Sequence, residues 1–240
     1  MLKPEGIVRR KMVLFFIVDT SGSMWGTKIQ AVNQAVCEVL PELQKMSDGN
    51  ADALLQVAVL GFDNAAYWLT AEPQNVDAFF WKDLEANGGT NLGDALSKLN
   101  EKLSKDGFMG HASGAFAPAL FLMSDGCPND DSYKKELEKL RNNNWFKKAI
   151  KVACAIGDDA DCSVLEEFTG TPETVLTVHT PEALKKVIRF VSVTSSQIGS
   201  QSAHVGNGQI DAVESKQDSM IGALQASSDQ FTDDSDADEW

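Results

Sequence analysis

The chain has 240 residues, 43% of them hydrophobic, and a formal charge of −14. That is enough apolar material for one sizeable core, and an acidic chain without a basic stripe is a poor partner for nucleic acid or an anionic membrane. The charge is uneven: from Thr194 onward nine acids face a single base, Lys216, which accounts for −8 of the total.

In chain order, the apolar run Val13 to Val18 reads as a strand buried on both faces, and it ends abruptly at Asp19, Ser21 and Ser23. Ile29, Val32, Val36, Val39, Leu40 and Leu43 then recur at helical spacing, with Thr27 as a cap and Pro41 as a kink or break near the end. Leu54 to Phe62 is a second strand. Ala65 to Leu69 follows Asp63-Asn64 so closely that only an antiparallel hairpin joins them, which puts an antiparallel strand at the sheet edge. Thr70 to Asn87 has no clear period; Phe79, Phe80 and Trp81 are either a buried turn of helix or an exposed aromatic patch, and burial is the favoured reading.

Leu92, Ala95, Leu96, Leu99 and Leu103 mark a second amphipathic helix just after Gly88-Gly89-Thr90. A polar, Gly-rich loop (Asp106 to Gly114) leads to the apolar strand Ala117 to Ser124, which stops at Asp125 much as the first strand stops at Asp19. Asn129 to Arg141 is charged and helical, with Asp130 and Asp131 in its first turn, where the helix dipole favours acids. Ile150 to Ile156 is a strand, Cys162 to Phe168 a short helix, Thr174 to Val178 a last strand, and Pro181 to Val191 a helix with Pro181 in its first turn. This alternation predicts an α/β fold: a doubly wound, mostly parallel central sheet with one antiparallel edge strand and helices on both faces. Residues 1–10 are expected as an extension, 11–193 as the domain and 194–240 as an acidic flexible tail. Within that tail Ile210, Val213, Ile221 and Leu224 give only a weak helical signal.

The ends of the first strand and of the strand before Asp125 carry the chemistry. If these strands are neighbours whose crossovers leave in opposite directions, Asp19, Ser21, Ser23 and Asp125 face one crevice, and the paired glycines let the backbone bring Thr90 over it. The donors are hard oxygens only, which suits Mg²⁺, with Ca²⁺ or Mn²⁺ as alternatives, better than zinc. Two carboxylates balance a divalent charge while three hydroxyls ligate without adding any, so such an ion keeps room for an outside carboxylate. The plainer reading of Asp19, Ser21 and Ser23 is helix capping. Asp63, Asp158, Asp159 and Asp161 read as turn and cap residues. Met24 and Trp25, after the loop, are open between exposed contact residues and partly buried lid residues.

The five residues and their order resemble the metal-ion-dependent adhesion site of von Willebrand factor type A domains, over about residues 10 to 193. The resemblance implies an Asp-x-Ser-x-Ser loop at Asp19, Ser21 and Ser23, a threonine ligand at Thr90 and a second acid at Asp125. It also implies a metal-dependent protein-interaction module that holds an Asp or Glu of a partner. VDTSGSM, GFDNAA, GGTNLGDAL, SDGCPND and AIGDDAD are similar to the bacterial intracellular branch associated with tellurite resistance and stress response, which implies a setting near protein kinases or PP2C-type phosphatases.

No enzyme is expected. The histidines, His111, His179 and His204, are not placed by this topology beside Ser21 or Ser23, so a serine nucleophile lacks its base. The alternative is a metal-dependent phosphohydrolase or phosphotransferase. A haloacid-dehalogenase-type phosphatase needs a second acid two residues after the first, where this chain has Ser21, and no P-loop pattern follows the first strand. The acidic tail reads as a solvated extension or as a built-in competitor whose carboxylates reach the metal.

The four cysteines show no paired metal-ligand spacing, and Cys37 and Cys154 fall in apolar segments where free thiols pack well, so a reducing cytoplasmic location is expected. Arg9, Arg10 and Lys11 before Met12 to Val18 imitate a secretory signal, but the apolar part runs straight into Asp19 and lacks a small-residue cleavage site. No segment is long enough to span a bilayer.

Overall fold

The computed structural model describes residues 9–110, 115–126, 128–130, 132–157, 160–200 and 215–228. Its centre is β1 (Arg10–Asp19), buried at every position from Met12 onward because it pairs in parallel with β2 (Ala53–Phe62) on one side and β5 (Ala119–Ser124) on the other. β6 (Ile150–Ile156) and β7 (Val175–Val178) extend the parallel sheet beyond β5, and β3 (Ala66–Trp68) closes the opposite edge antiparallel to β2. The order is β3-β2-β1-β5-β6-β7, with the two-residue β4 (Gln74–Asn75) also antiparallel on β2.

Alternation along β1 sends side chains to two separate cores. Met12, Leu14, Phe16 and Val18 face α1 (Thr27–Gly49) and α6 (Pro181–Ser200), while Val13, Phe15 and Ile17 face α2 (Leu92–Lys102), α3 (Tyr133–Arg141), α4 (Asn144–Lys148) and α5 (Cys162–Thr169). Each core half is filled by β1 on one side and helices on the other, so the expected doubly wound sheet is what forms.

Several local expectations differ. Pro41 lies inside α1, which continues to Gly49. Proline removes the bond to the carbonyl of Cys37, but both residues sit on the exposed face, where water can take the freed carbonyl, while Leu40 and Leu43 are buried. Cys37 is therefore solvent-facing rather than packed; Cys154 is fully buried, and burial pushes its thiol pKa upward. The helix expected from Asn129 begins at Tyr133, so Asp130 precedes it; its carboxylate accepts from the Gly93 amide (3.3 Å) and the Ser132 hydroxyl (2.6 Å). Phe79 to Trp81 form no helix: Phe79 is buried, Trp81 half-buried, and Phe80 is 86% exposed.

The largest difference is beyond Val191. α6 runs to Ser200, past the boundary expected at residue 193, and α7 (Lys216–Ala226) packs back onto the domain with Met220 and Leu224 buried in the α1/α6 core. Ser215 caps it with a reciprocal bond to Asp218, and the Gln217 amide accepts from Lys151 N–H (2.7 Å) and donates to Lys151 C=O (2.9 Å). Expectations for His111, Cys127, Asp131, Asp158, Asp159, His204, Ile210, Val213 and the acids from Asp229 onward lie outside the described residues. Among the described residues, no helix is long and apolar enough to cross a membrane.

Candidate metal centre

The crossover from β1 leads to β2 and that from β5 leads to β6, in opposite directions, so the carboxyl ends of β1 and β5 border a switch-point crevice. Asp19 and Ser124, the last residues of these strands, meet there: the Ser124 hydroxyl donates to Asp19 Oδ2 at 2.5 Å. The other oxygen, Oδ1, accepts from the Ser21 amide at 2.8 Å, and the Ser21 and Ser23 hydroxyls lie 3.0 Å apart. Asp19 and Ser21 are buried, and Ser23 is exposed, so the cluster opens to solvent on one side.

Thr90 reaches this edge because its loop is pinned to the first one. Asn87 N–H donates to Thr20 C=O (2.7 Å), and Gly22 N–H donates to Gly88 C=O (2.9 Å). Gly88 has φ +78°, and a Cβ there would lie 2.4 Å from the Asn64 side chain, so the turn requires glycine. Asn129 N–H holds the Thr90 carbonyl (3.1 Å), and the Thr90 side chain is buried. Asp125 is buried as well, its carbonyl held by Asp161 N–H (3.0 Å). Gly126, which donates to Ser124 Oγ (2.8 Å), turns the chain away with φ +73°.

Two features of this cluster point to a cation. Burial raises the Asp19 carboxyl from its ordinary 3.8 to about 6; the bonds from Ser124 and Ser21 oppose the rise, and the nearby Asp125 charge adds to it. Asp125 Oδ1 is buried without a hydrogen-bond partner, a state that costs at least about 1–3 kcal/mol and more for a charged group. The Lys28 ammonium, from the first turn of α1, approaches only the other oxygen, at 3.8 Å. Two buried carboxylates with one oxygen left over, next to a pair of hydroxyls, fit a hard divalent ion. Among the described residues there is no cluster of three or more His, Cys, Asp or Glu side chains, so hydroxyls would have to complete any shell here.

The sequence placed all five positions on this edge, but not Ser124 or Lys28. Ser124 opens the SDGCPND run and could have been found as the hydroxyl adjoining Asp125. Lys28 carried no signal, since its partner is 97 residues away in the chain. Of the pair left open, Met24 is fully buried and Trp25 is 77% exposed. Asp161 caps α5 and Asp63 closes the β2–β3 turn, both as expected.

The family model described as von Willebrand factor type A domain matches residues 14–190. The chain belongs to this family. The type A fold is also seen in solved structures: a von Willebrand factor type A protein from Catenulispora acidiphila is similar with a TM-score of 0.59 at 20% identity, over 78% of this chain and 43% of that one. Proximal thread matrix protein 1 from the mussel byssus, solved with a zinc-occupied MIDAS motif, is similar with a TM-score of 0.56 at 18% identity, over 77% of this chain and 48% of that one. Inter-alpha-trypsin inhibitor heavy chain H2 of Mus musculus is 26% identical over 178 residues, covering 69% of this chain and 18% of the relative. The chain thus spans under a fifth of the length of that relative, and what is shared is the type A domain.

Proposed function

We propose that this type A domain binds a divalent cation through Asp19, Ser21, Ser23, Thr90 and Asp125 and uses it to hold an Asp or Glu of a partner protein. The observation that carries the reading is the buried, partnerless Oδ1 of Asp125 beside the buried carboxylate of Asp19. When bound, the ion supplies an electrophilic point for an incoming carboxylate. Asp19 and Asp125 would balance its charge, Ser21, Ser23 and Thr90 would offer neutral oxygens, and Ser124 and the Ser21 amide orient Asp19. The all-oxygen donor set favours Mg²⁺, with Ca²⁺ or Mn²⁺ as alternatives. Zinc in the mussel protein's motif means that competition between ions has to be measured.

The domain acts by binding rather than by catalysis in this reading. The Ser21 and Ser23 hydroxyls bond each other, and the position where a haloacid-dehalogenase-type phosphatase needs its second acid is Ser21. The motif resemblance adds a setting: a cytoplasmic scaffold in a bacterial tellurite-resistance or stress-response system, with a protein kinase or PP2C-type phosphatase as partner.

The experiment is a pull-down with wild type and Asp19→Ala, each in Mg²⁺ and in chelator, with folding checked by circular dichroism. A partner lost on chelation and on substitution supports the metal bridge. A partner retained under both conditions overturns it. Phosphatase activity that needs Asp19 and metal would replace the binding reading with the enzymatic one.

A further inference from the structure

Among the described residues, three large apolar side chains are exposed: Trp25 (77%), Tyr67 (38%) and Phe80 (86%). They belong to one corner of the molecule. Trp25 ends the metal loop, the hydroxyls of Tyr67 and Thr20 lie 3.1 Å apart, and Phe80 shares a groove with Tyr67. The segment carrying Phe80 also returns to Thr20, whose carbonyl accepts from the Asn87 amide (2.7 Å). Single exposed apolar residues are ordinary on a surface, but aromatics gathered on one corner mark a contact. The groove has a volume of about 530 Å³, and Val59, Leu69, Phe79 and Trp81 supply its apolar walls. It is held open from behind: the buried Asn33 side chain of α1 accepts from the Trp81 indole (3.1 Å) and the Leu84 amide (2.9 Å) and donates to the Leu84 carbonyl (2.9 Å). The Tyr67 ring lies against Gly61 of β2, where a Cβ would come within 2.7 Å of it, so glycine clears the ring's place beside Thr20.

Asp19 pairs with Phe62 and Phe62 with Ala66, so the metal site and Tyr67 stand two strand spacings apart, roughly 10 Å. An extended chain covers that distance in about three residues. We infer that the partner acid held by the ion lies in an extended segment whose large apolar side chain, roughly three or four residues from the acid, enters this groove. This rests on the metal-binding reading above and adds what that site alone lacks, a means of choosing among acids. An ion takes any carboxylate that reaches it. Burying one large apolar side chain in the groove favours the segments that carry one, by about 10-fold or more. The exposed Asp83 and Glu85 outnumber Lys82 along the groove, so a second acid next to the apolar residue is disfavoured. The partner surface that fits is therefore one acid and one large apolar residue at this spacing rather than an acidic run.

The test is selection of random twelve-residue peptides, displayed on phage, against the immobilised full chain in Mg²⁺, with elution by chelator. Wild type is compared with Phe80→Ala, which removes one lip of the groove, and with Gln74→Trp, which fills it from an exposed position; circular dichroism checks the fold of each. The expected wild-type sequences carry an acid and a Phe, Trp, Leu or Ile about three or four residues from it. Both variants should keep the acid and lose the apolar preference. In the best synthetic peptide, replacing the apolar residue by Ala should weaken binding about 10-fold or more to wild type and less than about 3-fold to either variant. An acid enriched without an apolar residue at fixed spacing overturns the groove and leaves the metal site standing. An apolar preference unchanged in both variants places that contact elsewhere and overturns it too. No peptide released by chelator overturns the metal-binding reading and this one with it. Sedimentation showing wild type as a dimer and both variants as monomers would assign the groove to a second copy of the chain, against a partner segment.

Discussion

The two edges of the sheet differ in the charge they bury. At the amino edge several polar groups are closed off by neutral amides and fixed cations, with Arg10 Nε left without a partner. The Asn50 side chain accepts from Asp52 and Ala53 and donates to Ser200, Gln217 satisfies both backbone groups of Lys151, and Arg9 donates to the carbonyls of Ser47 and Asn50. At the carboxyl edge two carboxylates are buried, and one oxygen of Asp125 is left without a partner. The first edge is built for stability. The second keeps an open acceptor in a low-dielectric place, which is unfavourable for the isolated fold and useful for holding a cation.

Asp125 separates the two edges most strongly. Asp125→Ala is expected to lower Mn²⁺ affinity at least about 100-fold, since losing a ligand exceeds the 10–100-fold typical of an outer-shell change. The same variant should melt no lower than wild type in chelator, because it deletes a buried, unpaired acceptor; calorimetry and thermal melting read the two effects. At the other edge, Met220→Ala should cost about 2–5 kcal/mol in urea unfolding, as for other fully buried methionines, with Mn²⁺ affinity unchanged.

The Asp19 carboxyl sharpens the contrast through pH. Its folded pKa of about 6 lies above the ordinary 3.8, so between these values the folded chain holds a proton that the unfolded chain has lost. Stability of the metal-free protein should therefore fall as pH rises from about 4 to about 6, by up to about 3 kcal/mol at 1.36 kcal/mol per unit. Asp19→Asn should flatten that slope in urea melts across the range. The smallest effect is at Trp25: Trp25→Ala should leave stability within about 0.5 kcal/mol, the exposed side chain being free of the core, while weakening metal-dependent partner capture in the pull-down.

The sheet was legible because its strands are buried on both faces and read as continuous apolar runs. Asp19, Ser21, Ser23 and Asp125 stood out as candidates because they follow such runs, and Thr90 because a pair of glycines precedes it. What escaped depends on contacts distant in sequence. α7 buries only Met220 and Leu224, too few to make an amphipathic period, and its docking relies on Gln217 reaching Lys151. Pro41 suggested a kink or a break because local chemistry disfavours it; no break occurs, since α1 packs against α6 and continues to Gly49. Lys28 and Ser124 acquire meaning only once β1 and β5 are neighbours, which a linear reading can suppose but not measure.

Anomalous diffraction from crystals of the full chain grown with Mn²⁺ shows whether these five residues hold the ion. A single strong peak within coordination distance of Asp19, Ser21, Ser23, Thr90 and Asp125 is expected. A peak held elsewhere, or none at a concentration that saturates binding in solution, would contradict it.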